Sequence, residues 1–130
     1  MRALLALLFA GALAFAGAPA RVVSQTVGTD EMLMALADPG QIAALSAVSR
    51  NPDYSYDAAR AAKFPQLAAS DAEAILRFHP DLVLMASFSR PETVAQLRRA
   101  GVPVLVIDHF DTLEDTYADL RLIAKAIGHG

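Results

Sequence analysis

Four apolar, strand-like runs organise this sequence: Arg21 to Val27, Gln41 to Val48, Asp81 to Ser87 and Val102 to Asp108. Each is followed by a polar loop and then a stretch with helical periodicity. Strand-loop-helix alternation with short connections predicts an α/β, Rossmann-like four-stranded parallel sheet with right-handed crossovers and helices on both faces. In such sheets the residues that meet ligands lie in the loops at the carboxyl ends of the strands. Here those loops are Thr26 to Thr29, Ser49 to Tyr56, Ser87 to Arg90 and His109 to Asp111.

The punctuation between runs supports this division. Gly28-Thr29 breaks the first run before a helix from Asp30 to Leu36, with acid in its first turn. Asp38-Pro39-Gly40 stops that helix. From Ser49 to Leu67 no period holds: residues 50–56 read as a loop, Asp57 to Lys63 as a short helix, and Phe64-Pro65-Gln66 as a return to extended chain. Ser70-Asp71-Ala72-Glu73 has the form of a capping box opening a helix that ends before His79-Pro80. Asp81 to Ala86 is continuously apolar after its first residue, as expected of a strand buried on both faces. Ser89-Arg90-Pro91-Glu92 opens a helix through Arg99, which Gly101 closes. Thr112 to Asp115 opens the last helix, whose apolar face reads Leu113, Tyr117, Leu120, Ile123, Ala124 and Ile127, with Gly128 at its end.

The amino terminus has another character. Met1-Arg2 is a short positive segment, Ala3 to Phe15 an apolar core, and Ala18-Pro19-Ala20 a small-x-small site of the kind cut by signal peptidase. The apolar stretch is shorter than the roughly 20 residues that span a bilayer, and Gly11, Gly17 and Pro19 weaken it further. Residues 1–20 are therefore read as a signal peptide cleaved after Ala20, with Ala18 as the second choice, and residues 21–130 as one α/β lobe. Only Arg2 of the eleven basic residues lies before Arg21, so the lobe carries ten against all fourteen acidic ones. Its basic residues are scattered, which argues against a nucleic-acid partner. The chain has no cysteine, which excludes disulfides, thiolate metal sites and a lipidated N-terminal cysteine. The expected location is the periplasm, with no lipid anchor.

Several chemistries lack their signatures. The first strand-helix turn has only Gly28, so no dinucleotide or P-loop fingerprint is present. Ala86-Ser87-Phe88-Ser89-Arg90 has no glycine for a nucleophile elbow, although Ser87, His109 and Asp108 could be imagined as a triad from neighbouring strand ends. Of the three histidines, His79 fits a helix terminus and His129 the chain end, and neither has a second ligand at i+2 or i+4. His109 follows the fourth run beside Asp108 and Asp111, where it is either a solvated loop residue or a ligand contact. Tyr54 and Tyr56 could stack on a planar ligand or anchor their loop. Arg50 and Arg90 could grip carboxylates or phosphates, or stand in solvent.

Taken together these features resemble the N-terminal lobe of the class III substrate-binding proteins of ABC importers, the group that captures vitamin B12, ferric siderophores and heme. The opening pattern is matched by Arg21-Val22-Val23-Ser24 and Thr29-Asp30-Glu31, the central one by Ala72 to Leu84 with its Pro80-Asp81-Leu82-Val83, and a helix-to-strand turn by Leu97 to Val104. The resemblance covers residues 21–128 and implies a binding protein, not an enzyme, with no resident cofactor. It implies capture of a metal chelate or corrinoid and its delivery to ABC permease subunits in the inner membrane. It further implies a wall of ligand-binding residues, Thr26, Val27, Gly28, Thr29, Arg50, Asn51, Tyr54, Ser87, Phe88, Arg90, His109 and Phe110, and a permease-docking glutamate at Glu73, which could equally be the closing member of the capping box. The absence of tryptophan means that a corrinoid is not favoured over a siderophore or heme. The family continues into a connecting helix and a second lobe beyond the length of this chain, and the two-lobed protein is expected to be monomeric. A small periplasmic α/β enzyme and a stand-alone interaction module are the competing readings.

Overall fold

The computed structural model describes residues 17–108 and 110–130. Its elements are β1 (Val22–Ser24), α1 (Val27–Leu36), a 3-10 turn (Pro39–Gln41), β2 (Ile42–Ala44), α2 (Ala58–Ala61), α3 (Ala72–Leu76), β3 (Leu82–Ala86), α4 (Pro91–Arg99), β4 (Val104–Ile107) and α5 (Leu113–Ala126). The four strands form one parallel sheet in the order β2-β1-β3-β4. The expected α/β architecture is present.

Successive residues of a strand point to opposite faces, and this sheet uses both. Val22, Leu82, Leu84 and Ile107 join Leu33 and Met34 of α1 and Ile123 of α5 in one buried cluster. Val23, Val83 and Met85 join Ala72 and Ile75 of α3 and Leu97 of α4 in the other. The continuous burial of β3, all five residues, follows from its inner position between two helical layers.

The structure shortens several expected elements. The first run ends as a strand at Ser24 because Thr26 caps α1: its hydroxyl accepts the Thr29 amide, and the Thr29 hydroxyl accepts in return from the Thr26 amide. Val27 and Gly28 thus belong to the helix, which starts three residues earlier than Asp30. The second run pairs only over Ile42–Ala44, then bridges through Leu45 to Gln66, as the return to extended chain at residues 64–66 anticipates. The cap of α3 is Asp71, not Ser70: the Asp71 carboxylate accepts the Ala74 amide at 3.0 Å. The Ser70 carbonyl is taken by Gln25, and the helix starts one residue later. On α5, Ile123 and Ile127 are buried, whereas Leu113 and Tyr117 are exposed.

Candidate functional site

The chain goes from β1 outward to β2 and then returns across β1 to β3, so the connections from β1 and β3 leave their strands on opposite sides. A crevice opens at such a switch point, outside the carboxyl ends of the two strands. Here it is a depression of about 430 Å3 between the β1–α1 turn (Gln25 to Gly28) and the β3–α4 turn (Phe88 to Arg90), with Val48 and Ser70 at its sides. A depression of about 700 Å3 along the end of α5, at Arg121, Lys125 and His129, lies elsewhere. There Gln41, just ahead of β2, bonds the Ile127 carbonyl and the His129 ring, at the amino ends of the strands where this fold seldom places a site.

The floor of the crevice is set by one glutamine. Gln25 Nε2 donates to the Ser70 carbonyl at 2.8 Å, and Gln25 Oε1 accepts from Ser89 Oγ at 2.7 Å. Ser89 Oγ in turn accepts the Ala86 amide at 3.2 Å. The end of β1, the lead into α3 and the β3–α4 turn are thereby joined through a single amide. Ser89 falls within the expected Ser87 to Arg90 loop, whereas Gln25, Val48 and Ser70 are absent from the residues expected from sequence; the available signal for Gln25 was a neutral polar residue at the end of an inner strand.

Above this floor the wall is aromatic. Phe88 is 73% exposed and Phe110 42% exposed. Their ring centroids lie 6.0 Å apart with the planes tilted by 47°, a favourable separation for an aromatic pair. A Cβ on Gly28 would stand 3.8 Å from the Phe110 ring, so the ring lies over the glycine at ordinary contact distance.

The remaining expected residues divide. Thr26, Val27, Gly28 and Arg90 line the crevice with Phe88. Thr29 does not: it is fully buried, and its hydroxyl lies 2.7 Å from Ser24 Oγ and 2.8 Å from Thr26 Oγ1, beneath the turn. Its contribution is to hold the wall, because a hydroxyl at the third helical position is drawn to its own cap. Arg50 donates to the Phe64 carbonyl at 2.7 Å and Asn51 Oδ1 accepts the Asp53 amide at 2.9 Å, so both brace the 45–57 segment. Tyr54 stands 65% exposed on that segment and Tyr56 is fully exposed. Ser87 faces a separate groove on the far side of the β3–α4 turn, against Pro91, Val94 and Val106. His109 lies outside the described residues. Arg90 is exposed, with Glu92 3.9 Å away. Glu73 is exposed in the first turn of α3 and pairs with Arg77 at 3.4 Å, and with Asp71 as the cap it closes no capping box.

Behind the β1–α1 turn sits Asp30, fully buried. Its Oδ1 accepts the Ser46 amide at 3.0 Å and its Oδ2 the Ser46 hydroxyl at 2.6 Å, which ties α1 to the segment following β2. Burial pushes its carboxyl up to about 6, against the pull of hydrogen bonds from Ser24 and Ser46; nearby Glu31 adds to the rise.

Among the described residues no group of three or more histidine, aspartate or glutamate side chains is placed to hold a metal ion. No helix among them is long and apolar enough to cross a membrane.

Solved structures share this architecture. A periplasmic heme-binding protein from Pseudomonas aeruginosa matches at 23% identity and a TM-score of 0.69, over 85% of this chain and 39% of its own. The periplasmic heme-binding protein RhuT from Roseiflexus sp. RS-1 matches at 26% identity and 0.67, over 84% and 41%. The periplasmic vitamin B12-binding protein BtuF of Vibrio cholerae matches at 19% identity and 0.66, over 83% and 41%. The chain thus spans about two fifths of the length of these proteins. No curated protein sequence matches it. The model of the periplasmic binding protein family matches residues 22–130, nearly all of the lobe built here, and the chain belongs to that family.

Proposed function

We propose that this chain is the N-terminal lobe of the extracytoplasmic solute-binding component of an ABC importer, which captures a metal chelate or corrinoid and delivers it to the membrane permease. The observation that carries this reading is the aromatic wall of Phe88 and Phe110 over Gly28, at the switch-point crevice. Two exposed rings beside a glycine offer an apolar aromatic surface against which a conjugated macrocycle can pack. Heme-type chelates fit this wall best. Thr26, Val27, Gly28, Phe88, Arg90 and Phe110 make the contact surface, and Thr29 supports it from below. The lobe binds and does not catalyse.

An open wall covers one side of a ligand, whereas small-molecule sites bury most of the ligand surface. A second lobe supplies the opposite wall. Residues 1–20 direct export and are removed after Ala20, which leaves the protein in the periplasm. Glu73, exposed on a capped helix, presents a carboxylate to permease arginines.

The test is titration of the full two-lobed protein with hemin, cyanocobalamin and a ferric siderophore, followed by visible absorption. Saturable hemin binding is expected, weakened about tenfold, or ~1.4 kcal/mol, when Phe88 and Phe110 are both changed to alanine. Lack of saturable binding of all three ligands refutes the reading, and binding indifferent to the double substitution moves the site elsewhere. Glu73→Lys leaves these affinities unchanged while weakening association with the permease.

A further inference from the structure

We propose that Asp81 is the receptor for the α-ammonium group of the mature chain, so that cutting after Ala20 turns two backbone hydrogen bonds into an ion pair at the start of β1. This rests on the export reading above and adds to it a binding site for a group that the precursor lacks.

The geometry is already in place. Asp81 Oδ1 accepts the Arg21 amide at 2.9 Å, and Oδ2 accepts the Ala20 amide at 2.8 Å. In the reverse direction the Asp81 amide donates to the Arg21 carbonyl at 3.0 Å. Arg21 Nε donates to the Phe78 carbonyl at 2.8 Å. Arg21 is therefore held at its amide, its carbonyl and its guanidinium, with the amide beside a carboxylate. Hydrolysis of the Ala20–Arg21 bond adds water to the Ala20 carbonyl carbon and breaks the C–N bond. Ala20 leaves as a carboxylate, and the Arg21 nitrogen takes up protons to become an ammonium.

That nitrogen need not move to serve Oδ1, and its added protons can serve Oδ2, which the departing Ala20 amide vacates. A neutral donor becomes a charged one against the same acceptor, and such bonds are shorter and stronger. The charged and titratable groups of the two segments meeting here are Arg21 on one, and His79 and Asp81 on the other. The Arg21 guanidinium opposes the ammonium, and its engagement by Phe78 directs it to a neutral acceptor.

The location gives the pair its effect. Arg21 immediately precedes β1, an inner strand, and Asp81 immediately precedes β3, with Val22 set opposite Leu82. A one-residue slip would send every β1 side chain to the wrong face. The ion pair pins that register at its first residue. Before the cut, Pro19 is held by Gln41 through its carbonyl at 3.0 Å, and Ala20 by Asp81. A peptidase that reads residues 18–20 needs them released, so cleavage precedes closure of this end of the sheet.

The experiment uses the exported, purified protein. Its amino terminus is determined by intact mass and sequencing. Its α-amine is titrated by pH-dependent acylation, in the folded protein and in urea. The chain is expected to begin at Arg21, with the folded-state titration shifted upward. Its denaturation midpoint should fall between pH 7 and pH 10, because a group whose folded pKa is raised loses its stabilising contribution as pH rises through that value. Asp81→Asn abolishes the shift and this part of the pH dependence. An enzymatically N-acetylated form, which keeps the N–H donor and removes the charge, loses the same part of the pH dependence and serves if the variant fails to fold. A chain that begins at Pro19 overturns the inference and leaves export intact; an uncut chain overturns both. An unshifted amine on a chain beginning at Arg21 overturns the ion pair alone.

Discussion

The two turns that flank the crevice are built in opposite ways. The β1–α1 turn is held by side chains: Thr26 caps α1, the Ser24, Thr26 and Thr29 hydroxyls bond one another, and Asp30 binds Ser46 behind them. The β3–α4 turn relies on its backbone and on Ser89. Its helix is preceded by Arg90, which makes no side-chain cap, and Phe88 and Arg90 stand in solvent. One wall spends its polar groups on its own shape, and the other leaves its side chains available. A site assembled from both has a fixed reference surface and an exposed one to meet the ligand.

Three measurements break or sharpen this contrast. The largest effect belongs to Asp30. Its carboxyl titrates near 6 in the folded chain, against an ordinary value of 3.8, so the folded state binds the proton more tightly. Stability is therefore greatest below the ordinary value and declines as pH rises from about 4 to above 6, by about 3 kcal/mol. Equilibrium urea unfolding across that range should show the decline in the wild type and lose it in Asp30→Asn. Equal slopes in the two would mean that the serine hydrogen bonds offset burial in full, and a reversed slope that they outweigh it.

The caps give a smaller effect. Thr26→Ala should cost about 1 kcal/mol of unfolding free energy, whereas Arg90→Ala should stay within about 0.5 kcal/mol. Equal losses would erase the distinction between the turns. The smallest effect on stability is that of Phe88→Ala, also within about 0.5 kcal/mol by the same measurement, since a largely exposed ring surrenders little burial on removal. A loss above about 1.5 kcal/mol would make Phe88 a packing residue and not a contact surface.

Much of this arrangement could be read along the chain. Leu82 to Ala86 announces an inner strand because both of its faces are apolar, and Gly101 and Gly128 mark helix ends where the backbone does adopt positive φ, 82° and 84°. Ser70 and Asp71 show where local reading stops. Both are good caps, and only the three-dimensional course of the chain, with the Ser70 carbonyl taken by Gln25, separates them. Gln25 itself was not legible. Its partners lie 45 and 64 residues away and reach it through the crossing from β2 back to β3. Leu113 and Tyr117 carry a helical period as regular as that of Ile123 and Ile127, but periodicity names a face without saying how far the sheet beneath extends.

The position of β4 has a consequence for the molecule in a crowd. The opposite margin of the sheet is partly shielded, since the Leu45 amide and carbonyl are taken by the Pro65 carbonyl and the Leu67 amide. β4 pairs with β3, and no strand lies on its other flank among the described residues. Its Val-Leu-Val-Ile composition is that of a template on which another chain could add by backbone pairing. Arg98, whose guanidinium reaches the Val104 carbonyl at 3.5 Å, posts a charge at the start of that margin. Among the described residues β4 is thus the more open margin for self-association, and a neutral residue at position 98 removes a charge that stands there.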